Sequence, residues 1–102
     1  MIEQTFRTLM MKSIDNVAVT LQDVPPNSNV IVNFSNDFSL RITLKEQILF
    51  GHKFAVRPIK KGDEILKYGE IIGKATKDIE EGEHVHVHNL EGIRGRGDKV
   101  EK

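Results

Sequence analysis

The chain has no cysteine and no tryptophan, one tyrosine, three prolines, and no excess of charge of either sign. Each of these absences removes a class of function. Without cysteine there are no disulfides and no thiolate metal sites, which fits a reducing compartment. Fifteen basic residues against fifteen acidic ones give a formal net charge of zero, unlike the basic balance of a nucleic-acid binder. No apolar run approaches the roughly 20 residues of a membrane span. The N-terminal residues also lack the charged-then-apolar layout of a signal peptide. The expectation is a soluble, cytoplasmic protein with neither a nucleic-acid nor a membrane partner.

Size adds a further bound. At 102 residues the chain is about one domain, and a domain this small buries only about 60–65% of its unfolded surface. A hydrophobic content of 38% supports a modest core but not an elaborate enclosed active site. A catalytic role would therefore call for a second chain or domain.

Against this sparse background one cluster stands out. Three of the four histidines alternate with valine in His84-Val85-His86-Val87-His88-Asn89. A β-strand sends successive side chains to opposite faces. A strand here would set three imidazoles in one row and two valines behind them, facing a core.

The chain also repeats itself. Asp23–Val30, Pro58–Ile65 and Asp78–Val85 share one pattern: an aliphatic residue, two polar residues or prolines, a turn-former, two polar residues, then another aliphatic. The second and third copies carry an alanine, Ala55 and Ala75, four residues before the first aliphatic. Each copy reads as strand, tight turn, strand, with Gly62 and Gly82 where positive φ is easy. Between copies, Leu40, Ile42 and Leu44 alternate with Arg41 and Thr43 as in a half-buried strand. Lys45–Phe50 could form one short helical turn before Gly51, and no window offers an amphipathic helix of three turns. The expected fold is mostly β, with short strands, tight turns and at most short helical turns.

Domain boundaries follow from composition. Residues 1–11 read as an N-terminal extension or arm, with the Met10-Met11-Lys12 cluster compatible with an internal start. Residues 12–90 form the domain. From Leu90 onward, and in residues 91–102 above all, Gly92, Gly95 and Gly97 interleave with Arg94 and Arg96, as in a flexible tail or linker. Its arginines suit a partner surface or a carboxylate ligand.

Three motifs occur in order: Gly51-His52-Lys53 within Phe50–Val56, Lys67-Tyr68-Gly69 within Ile65–Gly73, and His86-Val87-His88-Asn89 within His84–Leu90. In this combination the chain resembles the N-terminal domain, or separately encoded small subunit, of the altronate and galactarate dehydratase family. The sulfolactate sulfo-lyase small subunit belongs to the same group. The resemblance is close from about Gly51 to Asp98, looser from Asn16 to Phe50, and does not include residues 1–11. It implies an SAF-type β-clip fold and a carbon–oxygen hydro-lyase, or a sulfo-lyase, whose large catalytic subunit is another polypeptide. It also implies divalent iron or manganese in the assembled enzyme. Assembly into a homo-oligomer is left open.

The substrates so implied are hydroxyl-rich anions. Their dehydration needs a base for the proton α to the carboxylate, an electrophile for the developing charge, and an acid for departing hydroxide. Lys53 and Lys67 suit a carboxylate, each beside a second donor, His52 and Tyr68; the plain alternative is a surface lysine and a half-buried tyrosine in ordinary turns. For the histidine row three roles compete: metal ligation, substrate contact, and an exposed strand face that happens to carry histidine. Residues two apart on a strand lie about 6.5–7 Å apart, so neighbours can share an ion; His86 and His88 are the pair expected to do so. The substrate-binding set expected is His52, Lys53, Lys67, Tyr68, His86, His88 and Asn89, and no residue is assigned to the chemical step. His84 occupies a position the repeat leaves polar and reads as a solvated turn residue. Clustered rings should hold one another neutral at pH 7.

The leading expectation is the small subunit of a two-component sugar-acid dehydratase, contributing substrate-binding residues to a site that a large subunit completes. The alternatives are the sulfo-lyase small subunit, a non-catalytic carbohydrate- or partner-binding β-clip, and a metal-handling protein.

Overall fold

The computed structural model describes residues 6–35 and 38–92. Among these there is no helix, and the strands are short and antiparallel. Strands β1 (Thr8–Leu9), β2 (Val17–Thr20), β5 (Lys53–Ala55) and β8 (His84–Val85) form a four-stranded sheet in the order β1-β2-β5-β8. Strands β3 (Asn29–Ser35) and β4 (Phe38–Thr43) form a hairpin. Strands β6 (Glu64–Lys67), β7 (Glu70–Ala75) and β9 (Leu90–Gly92) form a third sheet in the order β6-β7-β9. This is the small all-β fold expected.

The repeats build the frame. In each copy the residue after the turn's tip has positive φ: Asn27 at 66°, Gly62 at 91° and Gly82 at 89°. With the backbone bonds Asp63 N–H to Lys60 C=O and Glu83 N–H to Glu80 C=O, these are type II turns, whose third residue needs positive φ. A fourth copy, Gln47–Phe54, has the same geometry, with Gly51 at 84° and His52 N–H bonded to Leu49 C=O. It replaces the helical turn expected over Lys45–Phe50.

The copies clasp in pairs. Val24 bridges Ile48, and Ile59 bridges Ile79. Within each pair, the turn residue of one copy donates to the carbonyl four residues ahead of the other copy's aliphatic: Asn27 to Leu44, Gly51 to Thr20, Gly62 to Ala75 and Gly82 to Ala55. Ala55 and Ala75 are buried, so their repetition marks backbone that a turn must reach.

Two cores result. Val24, Val30, Leu44, Ile48 and Phe54 belong to one, and Ala55, Ile59, Ile65, Ala75, Ile79 and Val85 to the other. On β2, Val17 and Ala18 point into different cores, as do Phe54 and Ala55 on β5. The central sheet is therefore covered on both faces, which explains why all four residues of β2 are buried rather than alternating.

Several boundaries shift from the sequence expectation. Residues 6–11 include β1, which pairs with β2, and the buried Phe6 and Met10. Leu90–Gly92, read as the start of the tail, pairs with β7 as β9. The remaining Gly/Arg residues, 93–102, lie outside the described residues. The alternating strand over 84–89 does not form: β8 ends at Val85, and His86–Asn89 is a turn. Val85 is buried as expected, but Val87 is 79% exposed. The cause is Asn89, whose side chain accepts from His86 N–H and donates to His84 C=O, while its own N–H bonds His86 C=O. No helix among the described residues is long and apolar enough to cross a membrane.

Candidate functional site

All four histidines meet at one place. His52 follows the turn of the fourth repeat copy, and β5 carries on to pair with β8 in the register Lys53↔Val85 and Phe54↔His84. Continued by one residue, that register sets His52 opposite His86 and diagonal to His84, with Nδ1 of His52 2.8 Å from Nε2 of His84. The His86 ring centroid lies 4.9 Å from that of His52 and 5.4 Å from that of His84. His88 joins through His84, at 5.3 Å. His84 thus touches each of the other three.

His52, His84 and His86 each present a ring nitrogen, and these three atoms all lie within 4.8 Å of one another. That trio differs from the His86–His88 pair read from sequence spacing. The turn held by Asn89 breaks the straight row and puts His88 on the outer side of His84. The donor set fits a divalent transition ion: three nitrogen donors on a partly open face, the pattern of sites that keep coordination positions free.

The electrostatics favour neutral rings at His84 and His86. Burial lowers the His84 pKa below its ordinary 6.5, the neighbouring histidines lower it further, and Glu46 opposes them. Glu46 also accepts the His84 backbone N–H at 2.9 Å. Burial lowers the His86 pKa too, followed by the effects of His52, Lys53 and His88.

The lysines extend the face. Lys53 is half-buried, and its pKa falls below 10.5 through burial and then repulsion from Lys67. Lys67 Nζ lies 5.1 Å from the centroid of the Tyr68 ring, a cation–π distance. Tyr68 and Gly69 both have positive φ, 55° and 80°, between paired Lys67 and Glu70; this is a type I′ hairpin turn. A tyrosine in that conformation needs a hold. The buried Asp15 carboxylate supplies it, accepting Tyr68 N–H at 3.0 Å and Gly69 N–H at 2.7 Å. The same carboxylate accepts Met11 and Lys12 N–H. Asn16 adds a second tie, accepting Leu66 N–H and donating to Glu64 C=O.

Of the seven residues expected to bind substrate, His52, Lys53, His86 and His88 converge. Lys67 lies within electrostatic reach of Lys53, and Tyr68 lies beneath Lys67. Asn89 is buried, with its amide engaged by the backbone of His84 and His86. Sequence reasoning passed over His84, Asp15 and Glu46. A buried aspartate before a strand leaves no spacing signal; His84 was there to be found in the histidine alternation itself.

A sequence model of the altronate/galactarate dehydratase SAF domain matches residues 6–92. Altronate dehydratase of Escherichia coli is 41% identical over 81 residues, which is 79% of this chain and 15% of that protein. Altronate dehydratase of Bacillus subtilis is 41% identical over 75 residues, 74% of this chain and 14% of that protein. The (2R)-sulfolactate sulfo-lyase subunit alpha of Paracoccus pantotrophus is 47% identical over 65 residues, 64% of this chain and 94% of that subunit. The chain thus spans a small fraction of the altronate dehydratases and nearly the whole of the sulfo-lyase subunit. With a match from the first described strand to the last, this chain belongs to the altronate/galactarate dehydratase SAF-domain family.

Proposed function

We propose that this chain is the substrate-binding component of a two-component lyase that eliminates water from a sugar acid, and that a larger subunit completes the site. The observation that carries the reading is the convergence of four imidazoles and two lysines, drawn from separate repeat copies, on one open face of a family member. Lys53 and Lys67 bind and orient the substrate carboxylate by charge-assisted hydrogen bonds. The ring nitrogens of His84 and His86 that are not engaged with His52 or with an ion can each donate to, or accept from, one substrate hydroxyl. A divalent iron or manganese ion, when bound at the imidazoles, would supply Lewis-acid polarisation of a substrate oxygen. The base that takes the α proton and the acid that meets departing hydroxide are assigned to the large subunit, because the imidazoles of this face are only partly buried.

The two-component arrangement is supported by the sulfo-lyase relative, which is itself named a subunit and is matched over 94% of its length. The same relative favours a second reading in which the leaving group is sulfite and the substrate sulfolactate. One experiment separates these. The chain is co-purified with a large subunit encoded in the same operon, and the complex and each component are assayed with altronate, galactarate and sulfolactate. Activity is expected only in the complex, and full activity of the large subunit alone would sink the proposal.

A further inference from the structure

The contact between His52 and His84 has two physical readings. Two neutral imidazoles with nitrogens 2.8 Å apart can share a proton in a hydrogen bond. The same separation suits two ligands of one ion: metal–imidazole bonds of about 2.0–2.1 Å place neighbouring nitrogens roughly 2.9–3.4 Å apart, from octahedral to tetrahedral angles. A third nitrogen, from His86, favours the second reading, since all three lie within 4.8 Å of one another and a hydrogen bond between two rings does not call for it. We propose that His52, His84 and His86 form a three-imidazole site for a divalent first-row transition-metal ion, bound by this chain without any other subunit. The proposal goes beyond substrate binding and stands or falls apart from it.

The backbone holds the three rings before any ion arrives. The β5–β8 register fixes His84 opposite Phe54, and the type II turn at Gly51 fixes His52. Asn89 ties the His84 carbonyl to the His86 N–H through one buried amide. Ordering costs that a flexible site would meet on binding are therefore already met by the fold. All-nitrogen ligation with no thiolate selects the imidazole-preferring metals over calcium or magnesium. His88 lies against His84 with its ring tilted by 35° but stands outside the trio, so it is a neighbour of the site and not a ligand.

The test uses the metal-free full chain, with Co(II) and Zn(II) as probes. One Co(II) per chain is expected, with visible ligand-field bands that Zn(II) abolishes by displacement. His84→Ala and His86→Ala should each weaken binding by roughly 100-fold or more, since losing even a group that only hydrogen-bonds a metal ligand costs about 10–100-fold. His88→Ala should leave affinity essentially unchanged. Circular dichroism confirms that each variant is folded; should His84→Ala fail to fold, His86→Ala, on a partly exposed turn, decides the matter. Failure of the folded chain to take up stoichiometric Co(II) overturns the proposal in favour of a hydrogen-bonded imidazole pair. So does a loss in His88→Ala equal to the loss in His86→Ala.

Discussion

His84 and Asn89 exchange the roles that sequence position suggests for them. In the repeat, position 84 corresponds to residues that are merely polar, and Asn89 ends a motif dense with functional side chains. In the fold, β8 aims the His84 ring into the other three histidines, while Asn89 folds the turn that holds them. The convergence of His52 with the later histidines was legible only as a motif order, because the β5–β8 register that creates it joins residues 32 apart in sequence. One titration prediction belongs at this scale. Burial and neighbouring rings lower the folded-state pKa of His84 and His86 below 6.5, so the unfolded chain binds more protons there than the folded one. The stability this contributes is present above about pH 6.5 and is lost as pH falls through the lowered folded values. NMR titration of the metal-free chain should show both rings changing charge below 6.5. Denaturant unfolding should show lower stability at about pH 5.5 than at about pH 7.5. A His84 pKa at or above the ordinary value would remove this account.

At the level of elements, three of the four clasped turns could be read directly from the repeat, because Gly or Asn recurs where φ must be positive. The fourth was hidden by Leu49-Phe50, apolar residues at the tip where the other copies carry Pro25-Pro26, Lys60-Lys61 and Glu80-Glu81. The pairing of copies could not be read at all, since each reciprocal bond joins turns that the repeat pattern treats as equivalent. The turns also differ in how tightly they are enclosed. A Cβ on Gly62 would meet nothing within 4 Å, whereas one on Gly82 would collide with the Thr43 carbonyl. Gly62→Ala should therefore cost only the left-handed backbone penalty, about 1–2 kcal/mol. Gly82→Ala should add an overpacking cost of about 1–3 kcal/mol. For a domain of this size each 1 kcal/mol moves the melting temperature by about 4–8 °C, so thermal unfolding resolves the two. Equal shifts would show that the Gly82 turn relaxes freely away from Thr43.

For the whole molecule, the two small cores lie on either side of one central sheet, and the imidazoles of His52, His84 and His86 are only partly buried. The site is a face, and under the proposed function a large subunit closes over it. The surface offers apolar groups for that contact: Phe50 is 64% exposed and Val87 79%. Both flank the cluster in sequence, Phe50 two residues before His52 and Val87 between His86 and His88. Large apolar side chains at turn tips contribute nothing to this chain's own core, and their exposure fits a seat for the proposed large subunit. Phe50→Asp tests this without touching the imidazoles or the lysines. Its effect on the isolated chain's stability should stay within about 0.5 kcal/mol, as for other surface substitutions. Its effect on association should be large, because a buried aromatic anchor contributes about 2 kcal/mol or more to an interface, roughly a 30-fold loss of affinity. Calorimetric titration of the large subunit with the wild-type chain and with Phe50→Asp measures both the affinity and the stoichiometry. Unchanged affinity would place the closing surface elsewhere, while leaving the metal-binding test of the histidine trio untouched.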